Sequence, residues 1–206
     1  MKKLSTSKQM AINMVAAIVS FLIGTGINFV LAPYLVKELG SETYGFIGLA
    51  NNFVQYATIV TSALNSMSGR FISIEYSKGN IDKASRYFSS VLVADLIIAG
   101  VLLLVSSIIT FNIEFILNVP ENLVDSVKIL FALTFATFII SVITAIFTTA
   151  AFVKNKLYIN SLRDIASNTL KLLLVVILFS FFPAKVYFLA MASLASGIFV
   201  LFTYFK

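Results

Sequence analysis

Six long apolar runs, separated only by short charged gaps, leave this sequence few folds to choose from. They extend from Met10 to Val36, Tyr44 to Ser68, Tyr87 to Phe111, Val127 to Phe152, Leu162 to Phe182 and Val186 to Phe205. Each is close to or above the about 20 residues that a helix needs to cross about 30 Å of hydrocarbon. Stretches such as Leu172 to Phe179 do not alternate, as the strands of a closed membrane barrel must. The expected fold is therefore all-α: a polytopic membrane helix bundle of six transmembrane helices, forming one unit over residues 1–206. Composition points the same way, since 59% of residues are hydrophobic and only 12% are charged, against about 25% charged in a soluble domain. Too few polar side chains are present to cover a globule in water, so the lipid bilayer is the first partner.

The charges lie in the gaps, and their asymmetry sets an orientation. One side of the bundle takes Lys2, Lys3, Lys8, Arg70, Lys78, Lys83, Arg86, Lys154, Lys156, Arg163 and Lys206, whereas the other takes only Lys37, Lys128 and Lys185. Because cytoplasmic loops concentrate Lys and Arg, both termini are expected in the cytoplasm. Lys2, Lys3 and Lys8 ahead of an apolar run resemble the start of a secretory signal, but the run is too long, which makes it an uncleaved first span. The net charge of +6 is dispersed among loops instead of gathered on one face, so no nucleic-acid partner is expected. The gaps also carry turn chemistry. Gly40 with Ser41 fits a helix stop and a new N-cap, Gly79 with Asn80 a tight turn, and Pro120 with Glu121 the first turn of the next helix.

Cysteine and histidine are both absent. This removes thiolate nucleophiles, the commonest general base and the commonest metal ligands, so no metal and no cofactor are expected. The outward loops are short, which disfavours an enzyme. The sequence has no G-x-x-x-x-G-K-[ST] loop, so it does not itself consume ATP; any coupling would be to protons or sodium.

The apolar runs are not uniformly greasy. In the second, Asn51, Asn52, Gln55, Thr58, Ser62, Asn65 and Ser66 recur at steps of three and four, with Gly69 continuing the line. The fourth repeats this with Thr134, Thr137, Ser141, Thr144 and Thr148, and the first more sparsely with Asn13, Ser20, Gly24 and Asn28. The fifth opens with Asn160, Arg163, Asp164, Ser167, Asn168 and Lys171. Hydroxyl stripes often glue membrane helices together. Carboxamides need more partners, so Asn28, Asn52, Gln55, Asn65 and Asn168 are candidates for the lining of a hydrated cavity. Lys171 lies too deep for easy snorkelling and must face protein or water. Asp95 reads either as an interfacial carboxylate or as a proton- or cation-coupling group, paired in the second case with Lys171 at similar depth. Arg70 reads either as a topology anchor or as a phosphate ligand.

The segment L-G-S-E-T-Y-G, Leu39 to Gly45, after a long first helix, together with S-G-R-F-I-S-I-E-Y-S-K-G-N, Ser68 to Asn80, and N-V-P-E-N, Asn118 to Asn122, resembles the polysaccharide (O-antigen type) flippases. That family belongs to the multidrug/oligosaccharidyl-lipid/polysaccharide exporter superfamily, and the similarity rests on the order and spacing of these motifs across all six spans. The resemblance implies a transporter of twelve to fourteen helices in two halves, of which this chain would be the N-terminal half. It implies a multi-pass protein of the bacterial inner membrane that flips undecaprenyl-diphosphate-linked oligosaccharide from the inner to the outer leaflet. The missing C-terminal half or the polysaccharide assembly machinery would be its partners. Such a protein should meet the diphosphate with cations, yet the first span has no charge after Lys8. Arg70, Arg163 and Lys171 are left as head-group candidates. The alternatives are a drug or small-cation exporter of the same superfamily, whose cavity would favour acidic and aromatic residues, and a membrane-embedded glycan polymerase.

Overall fold

The structure is a computed structural model and describes residues 6–205. Lys2, Lys3 and Lys206, which entered the charge asymmetry, lie outside the described residues. All regular structure among the described residues is helical: α1 (Thr6–Leu39), α2 (Ser41–Ser77), α3 (Ile81–Phe111), a single turn α4 (Ile113–Ile116), α5 (Val124–Val153), α6 (Leu157–Phe181) and α7 (Phe188–Thr203). Helices are what a bilayer demands, because a backbone in hydrocarbon must satisfy its own N–H and C=O groups. The connections are tight. Gly40 and Gly79 adopt φ of 79° and 81°, a left-handed conformation that an L side chain resists. Ser41 opens α2 as its first helical residue, and Gly40 takes the cap position with no side-chain capping bond. Sequence had given the cap to Ser41. Pro120 leads into a 3₁₀ turn, Glu121–Leu123, that feeds α5 directly.

Helix α5 is central and packs on α2, α3, α6 and α7, while α1 rests mainly on α6. At the end of the bundle that carries Lys37, residues from four connected segments converge. Phe46, Ile47, Ile113, Val127, Leu130, Phe131 and Val186 form a continuous buried cluster, joined by Leu39 and Tyr44. The opposite end, which carries Lys78, is held by polar and aromatic contacts. Asn13 of α1 reaches the α5–α6 connection, where its Nδ2 donates to the backbone oxygen and Oδ1 of Asn155 at 3.1 and 2.9 Å, and its Oδ1 accepts from the Tyr158 N–H at 3.1 Å. Large apolar side chains such as Phe29 and Phe115, 81% and 83% exposed, face outward, an arrangement that lipid favours and water does not.

Among the described residues, four helices are long and apolar enough to cross a membrane: those over Ser7–Leu39, Ile81–Phe111, Glu121–Val153 and Leu157–Phe181. The two others depart for physical reasons. Helix α2 has 37 residues but carries the carboxamide and hydroxyl stripe, and α7 has only 16 residues.

Helix α2 runs on past its apolar stretch to Ser77, where Glu75 organises the turn. Asn80 Nδ2 donates to Glu75 Oε2 at 2.9 Å, and Lys78 and Lys83 lie 3.4 and 3.7 Å from its oxygens. The Asn80 hydrogen bond, opposed by burial and aided by both lysines, holds the Glu75 carboxyl below its ordinary range. A lowered value in the folded state means that the stabilisation is complete above the ordinary carboxylate range and is lost as pH falls through the lowered value. Amide hydrogen exchange across residues 78–84, corrected for intrinsic rates, should therefore accelerate on acidification in the native chain. In Glu75→Gln it should be fast throughout, and a variant that kept native protection over the whole pH series would remove Glu75 from this role.

Candidate functional site: a polar trench along α2 and α5

Helices α1 and α2 touch sparingly, near the Gly40 connection where Leu39 and Tyr44 pack together. Away from that contact they leave a cavity of about 480 Å³ walled by α1, α2, α5, α6 and α7. Asn28, Asn51, Thr134, Thr137 and Lys171 line it. Thr58 and Ser141 belong both to this cavity and to a second hollow of about 360 Å³ that includes Ser62 and Asn65. Ser66 is common to that hollow and to a third, of about 500 Å³, which holds Arg70 and Ser73. The three form one trench. It starts beneath the apolar cluster at the Lys37 end and follows the α2–α5 seam to the Lys78 end.

Five of the hydroxyls along this trench have their hydrogens committed, whereas Thr134 and Ser193 of the main cavity do not. Thr58 Oγ1 donates to the Val54 carbonyl at 2.8 Å, Ser62 to Ile59 at 3.1 Å and Ser66 to Ser62 at 2.8 Å. On α5, Thr137 donates to Leu133 at 2.8 Å and Ser141 to Phe138 at 2.7 Å. A hydroxyl that donates to its own helix still offers oxygen lone pairs outward. These five positions therefore accept hydrogen bonds, which suits a ligand rich in O–H donors. Donors to an anion are concentrated in the Asn28 and Asn51 amides and in two cations, Lys171 deep in the cavity and Arg70 at the far mouth. Among the described residues, no carboxylate lines the three hollows.

The residues singled out in the sequence do not all meet here. Asn28, Asn65, Lys171 and Arg70 line the trench. Asn52 and Gln55 are exposed on the flank of α2 and are absent from its walls. Asn168 packs against α1, where a Cβ on Gly24 would stand 3.4 Å from its Nδ2. Arg163 faces α7: its Nη2 donates to the Thr203 carbonyl at 3.0 Å and its guanidinium lies 3.8 Å over the Tyr204 ring. That planar group caps the end of a helix and stacks on an aromatic face, two contacts for which Arg is well shaped. Lys171 lies about 21 Å along α6 from Leu157, near mid-helix. Asp95, 2% exposed, sits on α3, which packs on α2 and α5, and no ion pair joins it to Lys171. The sequence reading missed the Asn13–Asn155–Tyr158 clasp, although Asn13 had been placed on the polar line of α1.

A family model described as "Polysaccharide biosynthesis protein" matches residues 10–206. A curated relative, "Uncharacterized membrane protein EpsK" of Bacillus subtilis (strain 168), is 33% identical over 187 residues. The alignment covers 91% of this chain and 37% of that relative, so the chain spans well under half the relative's length. No solved structure matches.

Proposed function

The chain belongs to the polysaccharide biosynthesis protein family, and from that premise we propose that it is the N-terminal half of a lipid-linked oligosaccharide flippase. In this reading α1, α2, α3, α5, α6 and α7 all cross the bacterial inner membrane and both termini are cytoplasmic. The chain acts as a transporter, not an enzyme. Undecaprenyl-diphosphate-linked glycan enters the trench from the cytoplasm, its lipid tail remains in the bilayer, and the two halves rock to expose it on the outer side. The observation that supports this best is the trench itself: walls that accept hydrogen bonds from sugar hydroxyls, Lys171 within and Arg70 at the mouth for the diphosphate, and an apolar plug at the Lys37 end. A cavity for organic cations would call for carboxylates instead, and none lines it.

Access can be tested directly, because the chain contains no cysteine and any introduced thiol is its only one. Thr58→Cys and Ser66→Cys should react with a membrane-impermeant maleimide in inside-out vesicles and stay unlabelled in intact cells. Prior addition of lipid-linked oligosaccharide should slow both reactions. Labelling from the outside alone, or rates indifferent to the lipid-linked sugar, would defeat the reading.

A further inference from the structure

Asp95 lies between two apolar layers at the junction of α2, α3 and α5. On one side Phe53, Ala57, Leu102 and Phe135 enclose a small apolar gap; on the other Ile72, Ala84 and Ile146 pack with Phe88 and Phe147. Two fixed points set the register of the α2–α3 pair: the Phe71 and Tyr87 rings, 6.0 Å apart, and the gap shared by Ala57 and Leu102. Counting turns inward from both brings Asp95 level with the part of α2 that holds Thr61 and Asn65. Asp95 Oδ2 and Asn65 Oδ1 are both buried acceptors without a hydrogen-bond partner.

The hydrogens of the α2 groups at that level are already used. Asn65 Nδ2 donates to the Thr61 carbonyl at 3.1 Å, and Thr61 Oγ1 points back to the Ala57 and Thr58 carbonyls. No counter-ion is at hand either. Helix α5 has no titratable residue between Lys128 and Lys154. On α2 the nearest are Tyr56, whose side chain is exposed, and Arg70, which lines the trench, with Glu75 occupied at the turn. On α3 itself Arg86 and Tyr87 lie two turns or more away. Buried polar groups are almost always paired, and a buried charge without a partner is among the least tolerated features of a protein interior.

Both acceptors lack a hydrogen, and we propose that this level of the junction is a proton site in which Asp95 carries the proton and Asn65 Oδ1 accepts the hydrogen bond. Asn65 also lines the trench, which gives the site its route to water. When α2 leans away from α3, water reaches the carboxyl, the proton passes to that water, and the carboxylate left behind is hydrated. Return of the proton lets the helices close again. The site stands independently of any cargo; only its use as the coupling step rests on the flippase reading.

Infrared spectroscopy of the full chain in lipid vesicles tests it. The native chain should show the carbonyl stretch of a buried carboxylic acid that is lost in Asp95→Asn. Asn65→Leu, which keeps the acid but removes its acceptor, should shift that band to higher frequency and so reports even where Asp95→Asn fails to fold. The proposal is overturned by carboxylate stretches alone from Asp95, by a band blind to Asn65→Leu, or by a band that disappears when choline is replaced by sodium, which would make this a metal-ion site. Cargo takes no part in these spectra, so a negative result leaves the trench reading standing, and a failure of translocation leaves the proton assignment standing.

Discussion

Under the flippase proposal, replacing Lys171 with alanine in the full-length protein is expected to slow translocation of a fluorescent lipid-linked oligosaccharide about ten- to hundredfold. Among the described residues, Lys171 is the only charged one lining the 480 Å³ cavity, and no ion pair is formed with it. Its ammonium is therefore free to meet a phosphate oxygen, and a hydrogen bond to a charged group contributes about 1.5–3 kcal/mol, which converts to that range of rates. Lys171→Arg keeps the charge but changes its shape, so it should retain part of the activity. The fold should survive, because truncation removes a cation from a wet cavity without leaving a buried partner behind. Arg163→Ala makes the useful contrast: its guanidinium holds Thr203 and Tyr204, so its loss should lower stability before it alters recognition of cargo. An undiminished rate in Lys171→Ala would place the diphosphate elsewhere.

How far the sequence could be read follows from what kind of information each feature needs. Long apolar runs identify helices because hydrocarbon leaves the backbone no alternative, and charge in the gaps identifies their connections. Position along a helix is a simpler matter: Lys171 and Asp95 each stand about 21 Å from the first residue of their helices. Direction was less so. Asn51 and Asn52 looked like one polar stripe, but adjacent helical residues are rotated by about 100°, and only Asn51 enters the cavity. Arg163 finds its carbonyl 40 residues away on α7, and Asn13 finds Asn155 at a separation of 142. Such partners depend on which helices become neighbours, which no period within a single helix encodes. The same limit explains the expected pairing of Asp95 with Lys171. Both stand near mid-helix, but α3 packs on α2 and α5 while α6 packs mainly on α1 and α7 and only lightly on α5.

The largest loss of stability is expected from Phe131→Ala. Phe131 is fully buried, with its ring centroid 5.7 Å from Phe53 and 5.9 Å from Phe135, both edge-on. It joins α5 to α2 inside the cluster that closes the Lys37 end. In soluble proteins a Phe→Ala change in a core costs about 3–5 kcal/mol. In a bilayer the unfolded reference keeps its helices in hydrocarbon, so the transfer share shrinks; the void and the lost ring contacts leave about 2–4 kcal/mol. Phe115→Ala, with identical chemistry on an 83% exposed side chain, should change stability by no more than about 0.5 kcal/mol. Both are measurable by denaturant unfolding in mixed micelles. The pair separates packing from greasiness, since lipid solvates an outward phenyl ring in either state but cannot fill a hole sealed by Ile113, Val127 and Val186. Loosening the plug should also have a functional signature: a thiol at Thr58, shielded from the outer side in the native chain, should gain outside labelling in the Phe131→Ala background. Equal destabilisation by the two substitutions would show that this cluster does not hold the bundle closed.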